Sequence, residues 1–162
     1  IPKARDCKVE VVMGDARLSL ERELNPDGTG MNYDVLHLDA FSGDAIPAHL
    51  CTDEAFELYT RHLRHDPVTK EPTGIIVVHI SNRYLDLEPV VAAIAKKHKF
   101  DTRVVHKDED GGPTDTASDW ILVTRNQEFL NNPRVKIAGQ PLEPKKEILW
   151  TDQKTALWDI MK

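Results

Sequence analysis

Two cysteines are all that the 162 residues contain. Cys7 and Cys51 lack CxxC spacing, so neither a disulfide framework nor a zinc knuckle staples this chain, and a reducing, cytoplasmic setting is expected. Long apolar runs are missing too. None approaches the roughly 20 residues that a membrane helix needs. Basic clusters are also lacking: the formal net charge is −6, and no window joins Lys or Arg to stacking aromatics, which argues against a nucleic-acid partner. The start carries no Met, no cationic leader and no apolar signal core, and it enters β-like sequence almost at once. The expectation is a piece of something longer, such as the cytosolic part of a membrane-anchored protein.

What is present suits a soluble globular domain. Hydrophobic residues make up 40% and charged residues 30%, and the length is that of one domain, 1–162, able to bury its own core.

The chain is organised around Tyr33 to Leu50, YDVLHLDAFSGDAIPAHL. Val35, Leu36 and Leu38 are apolar on both faces of a period-2 element, the pattern of a parallel strand covered on both sides. Asp39 stands where that strand stops, and Asp44 follows in a small-residue loop beside Gly43, where a turn role is equally natural. Ligands of open α/β sheets bind outside the carboxyl ends of the strands, so these acids are candidates on position alone. Ile75 to Ile80, IIVVHI, repeats the buried-strand pattern and ends in Ser81, Asn82 and Arg83.

Around these runs the sequence alternates. Val9 to Met13 predicts a strand, and Asp15 a helix N-cap, with Ala16, Leu20 and Leu24 facing a sheet and Arg17 facing water. Thr52 predicts the cap of a second helix whose buried stripe is Ala55, Phe56, Tyr59, His62 and Leu63. Asp86 to His98 predicts a third, with acids early and lysines late. Thr102 to His106 and Trp120 to Thr124 predict a long-looped antiparallel pair. Residues 131–145 read as irregular, and Ile148 to Lys162 as ending in a terminal helix. The acid spacing in HKDEDGGPTDTASDW does not fit a calcium loop. His37, Asp39 and His79 read as core histidines beside an acid rather than a metal site, so no metal is expected. Strand–helix alternation closed by a hairpin gives an α/β fold, a three-layer sandwich.

Taken together, VEVVMGDARLSLERE, YDVLHLDAFSGDAIPAHL, EAFELYTRHL and VVHISNRYLDLEPVVAAIA resemble the spermidine synthase family, over residues 8 to 125. The bacterial spermidine synthase-like proteins, some with membrane helices, are the nearest in pattern. The resemblance implies a Rossmann-like class I S-adenosylmethionine-dependent methyltransferase fold, here without its first two strands and their glycine-rich loop. It implies aminopropyl transfer from decarboxylated S-adenosylmethionine to a diamine such as putrescine, as in polyamine biosynthesis, with a homodimer as a further expectation. The amine must be neutral to attack the carbon beside the sulfonium, and a nearby carboxylate can orient it and accept its proton.

By this resemblance Asp15 and Ala16 contact the cofactor's adenine, and Asp39 serves catalysis and cofactor. Ser42 stands at the family's second acid, so that role passes to Asp44, the nearest one, as catalytic and substrate-binding residue. His79 and Tyr84 fall at substrate-binding positions. Trp150-Thr151-Asp152 resembles a C-terminal Thr-Asp-Asp segment, with Gln153 replacing its second acid. Because half the cofactor site has no counterpart, this chain alone is expected to be inactive. The competing readings are an S-adenosylmethionine-dependent methyltransferase, which shares the fold and adenosine contacts, and a non-catalytic dimerisation or scaffold module.

Overall fold

The structure is a computed structural model that describes residues 8–39, 47–108, 117–144 and 146–162. It is a mixed α/β fold. Helix α1 (Ala16–Arg22) precedes strand β1 (Val35–Leu38), helix α2 (Asp53–His62), strand β2 (Ile75–His79) and helix α3 (Glu88–Lys97). Strands β3 (Asp101–Lys107) and β4 (Ser118–Thr124) follow, then helices α4 (Gln127–Asn131) and α5 (Pro133–Ala138) and the short strand β5 (Gln140–Pro141).

All five strands join one sheet in the order β1-β2-β4-β3-β5. The two apolar runs pair as expected: β1 lies parallel to β2, with Val35 opposite Ile75 and Leu38 opposite Val78. β4 then runs antiparallel to β2 and to β3, which is the expected hairpin.

The register decides which face is core. Leu36, Ile76 and Val123 align across three strands, as do Val78, Ile121 and Val104, and all six are buried. Against them pack Phe56, Tyr59 and Leu63 from the α2 region and Val90, Val91 and Ile94 from α3. The predicted α2 stripe is buried at every position, under the Thr52 hydroxyl that caps Ala55 N–H at 3.3 Å.

Five expectations need correction. Val9 to Met13 is not a strand: it pairs with nothing among the described residues, and Val9 and Met13 are 81% and 87% exposed. β-branched composition favours extension, but a strand exists only where a neighbour takes its N–H and C=O groups. Apolar composition on both faces likewise does not mean burial on both. Burial alternates along β2, and β1, at the sheet edge, leaves Val35 exposed. In α1, Ala16 is exposed while Arg17 is largely covered, because its guanidinium is drawn inward by a carboxylate far along the chain. Residues 131–145 hold α5 and β5, formed because Asn132 caps Arg134 N–H with Pro133 at the first helical position. The C-terminal helix is only a 3-10 turn, Leu157–Ile160. Among the described residues no helix is long and apolar enough to cross a membrane.

Candidate functional site

Because β1 and β2 are parallel, their carboxyl ends meet at one edge. Asp39 follows β1 there and His79 closes β2, and Asp39 Oδ1 lies 2.8 Å from His79 Nδ1. A carboxylate only accepts, so the ring donates through Nδ1–H. Asp39 remains 47% exposed at its side chain and His79 21%, so the carboxylate keeps acceptor capacity towards a ligand.

Register sets the surroundings. His79 pairs with Trp120 across β2 and β4, and their rings stack at 4.3 Å between centroids and 19°. His37, on the same face two strands away, stacks on Trp120 at 4.8 Å. Beyond β2, the Ser81 hydroxyl accepts Asp119 N–H at 2.7 Å, and Asp119 Oδ1 in turn lies 2.7 Å from His106 Nδ1. The edge therefore carries a polar row in which an Asp–His pair, an indole and an Asp–His pair follow one another.

Of the residues expected to act together, Asp39 and His79 are joined. Asp44 lies outside the described residues. Asp15 belongs to a second cluster: it caps Leu18 N–H at 2.9 Å and meets His49 Nε2 at 2.8 Å. The Leu18 amide, then His49, hold its carboxyl below the ordinary range. Ala16 opens α1 behind it and is exposed. The neighbouring Arg17 grips Asp152 through Nη1 and Nη2 of its guanidinium at 2.6 and 2.5 Å, while Thr52 donates to the same carboxylate at 2.8 Å. Hydrogen bonding from Arg17 outweighs burial and, with Thr52, lowers the Asp152 carboxyl. Tyr84 stands in a third place, a cavity of about 330 Å³ shared with Leu85, Leu157, Trp158 and Met161.

Sequence reasoning missed Trp120 and Asp119 as site members, since only the β4 register places them beside His79 and Ser81. It also missed His49, which no spacing ties to Asp15. Among the described residues no group of three or more His, Cys, Asp or Glu is placed to hold a metal ion. Comparison with known proteins gives no match to this chain among family models, curated proteins or solved structures.

Proposed function

We propose that the carboxyl edge of β1 and β2 is the acceptor side of an aminopropyltransferase-type site, in which a diamine such as putrescine is held and deprotonated for attack on decarboxylated S-adenosylmethionine. The sheet then represents part of a Rossmann-like methyltransferase-type sandwich. One observation carries this reading: the Asp39–His79 hydrogen bond places a half-exposed carboxylate and an imidazole where parallel strands end, the position at which α/β folds bind ligands.

In the reaction, the amine nitrogen forms a bond to the propyl carbon as that carbon's bond to sulfur breaks. The bonding pair stays on sulfur, turning the sulfonium into a neutral thioether, and the amine proton passes to Asp39. His79, donating to the other side of that carboxylate, orients it and spreads the charge. Asp15 and Ala16 are the residues assigned to adenine, and Asp44 and Tyr84 to the amine, on the family resemblance.

The 162 residues contain no GxGxxG turn to present backbone N–H groups to a nucleotide. We therefore expect this chain to bind the diamine without measurable transfer. Calorimetric titration tests the reading: putrescine should bind saturably to the wild type and at least about tenfold more weakly to Asp39→Asn. Equal binding to both, or none to the wild type, overturns it. Tighter binding of S-adenosylmethionine than of its decarboxylated form would favour a methyltransferase instead.

A further inference from the structure

His37 carries an imidazole that the fold holds but does not use. It stands on the exposed side of β1, where burial alternates, and its ring stacks on Trp120 at 4.8 Å between centroids and 26°. Among the described residues neither of its ring nitrogens has a hydrogen-bond or ion-pair partner. His79 stacks on the same indole and is bonded to Asp39. His37, His79 and Asp39 therefore share one side of the sheet, since side chains two residues apart on a strand leave from the same face. Leu38, between His37 and Asp39, turns the other way and packs against the core.

Given the diamine site proposed above, we infer that His37 binds the far amine of a diamine whose near amine meets Asp39, and so sets the chain length accepted. Two residues of a strand advance about 6.6 Å. The nitrogens of an extended four-carbon diamine such as putrescine are separated by five zigzag bonds of about 1.5 Å each, which together span about 6 Å. The two spacings agree to within about 1 Å, so a diamine lying along β1 makes both hydrogen bonds without folding its chain. One methylene fewer or more changes the span by about 1.3 Å and spoils one of them.

Each partner suits its end of the ligand. The near amine gives its proton to the Asp39 carboxylate, while the far amine stays an ammonium with three N–H donors, and a neutral imidazole nitrogen offers the lone pair that one of them needs. That lone pair lies in the ring plane, at the edge that stacking on Trp120 leaves open. The stack also fixes the plane of the ring, so little rotamer freedom is lost on binding.

Calorimetric titration of the 162-residue chain with putrescine, 1,3-diaminopropane, 1,5-diaminopentane and butylamine tests this. Putrescine should bind at least about tenfold more tightly than each of the other three. His37→Phe keeps a ring against Trp120 and removes the acceptor: it should bring putrescine to the level of butylamine, leave butylamine unchanged and abolish the chain-length preference. His37→Gln restores an acceptor and should recover most of the putrescine affinity. Putrescine binding that is weakened in Asp39→Asn yet unchanged in His37→Phe overturns the role of His37 and leaves the acceptor site standing. Wild-type binding that ranks the four amines equally overturns it too, as does a loss in His37→Phe that extends to butylamine, which would make the ring structural. No putrescine binding to the wild type removes the acceptor site together with it.

Discussion

Asp39 and His79 are 40 residues apart in sequence and share one hydrogen bond of 2.8 Å across a parallel strand pair. Neither is deeply buried, so the bond serves the edge more than the core. A hydrogen bond this exposed contributes up to about 1 kcal/mol, so Asp39→Asn should cost no more than that in a urea melt, while His79→Ala should cost about 1 kcal/mol more because it also removes the ring stacked on Trp120. Diamine affinity should fall at least about tenfold in both. A large stability loss with unchanged affinity would make the pair structural.

Arg17 and Asp152 present the opposite case, since their bond anchors a segment. Asp152 N–H also donates to Glu54 Oε2 at 2.9 Å, and the Trp150 carbonyl accepts Asp53 N–H at 2.9 Å, so residues 150–152 are laid across the start of α2. Arg17→Met should cost about 1 to 2 kcal/mol, reduced from a buried charged bond because Asp152 is 39% exposed. Amide exchange should accelerate in residues 150–154 ahead of the core. The folded Asp152 carboxyl is depressed, so its contribution is present above the unfolded value near about 4 and is lost as pH falls through the lower folded value. In Asp152→Asn that acid-dependent part should vanish.

How much of this was legible in the sequence follows from what each residue depends on. Thr52 and its buried stripe were readable because a cap and a 3.6-residue period are local. The pairing of Val35–Leu38 with Ile75–His79 was readable because two apolar runs with helices between them have few ways to pack. Val9 to Met13 misled because strand formation needs a partner that composition does not specify. Arg17 misled because its partner lies 135 residues away. Trp120 was seen as a strand residue, yet its place over His79 needed the register of β4.

His62 ties α2 to α1 through Nε2 and to the segment ahead of β1 through Nδ1. Nδ1 accepts Met31 N–H at 3.3 Å and Nε2 faces the Leu20 carbonyl at 3.0 Å, an arrangement that requires the neutral Nε2–H tautomer. Burial lowers its pKa, outweighing the Leu20 carbonyl's opposite effect. The unfolded state thus binds the proton more readily, and stability should decline as pH falls below about 6.5 towards the lower folded value. Comparing urea melts at two pH values across that window, the loss should be smaller in His62→Gln than in the wild type. An equal loss would assign the effect to other groups.

Cys51 is 4% exposed, and burial pushes its thiol up to about 12. The thiolate is the reactive form, so iodoacetamide should leave Cys51 unmodified in the native protein at pH 8 and label it on unfolding in urea. Cys7→Ser removes the other thiol from the measurement. Labelling of Cys51 at the rate of a free thiol without denaturant would show that the start of α2 opens.

Gly74 is where the parallel pair begins, and the position has no room for a side chain. A Cβ there would stand 2.6 Å from the Tyr33 carbonyl oxygen, with Arg64 N and Leu63 Cβ each at 3.1 Å. The first two are backbone atoms held in place: Arg64 N–H donates to Tyr33 O at 2.8 Å, and Gly74 N–H donates to Arg64 O at 3.0 Å. Gly74 O also accepts the Thr124 hydroxyl at 2.9 Å, which couples the same point to β4. Relief of the clash therefore needs β1 and β2 to part at their first residues, since no flexible side chain can swing aside. Overpacking of this kind costs about 1 to 3 kcal/mol, and Gly74→Ala should lower the urea midpoint accordingly without changing its slope. Because Asp39 and His79 lie at the other end of the same two strands, their separation should also grow, and diamine affinity should fall together with stability. A variant as stable as the wild type would mean that the chain between Tyr33 and Gly74 yields more easily than its hydrogen bonds imply.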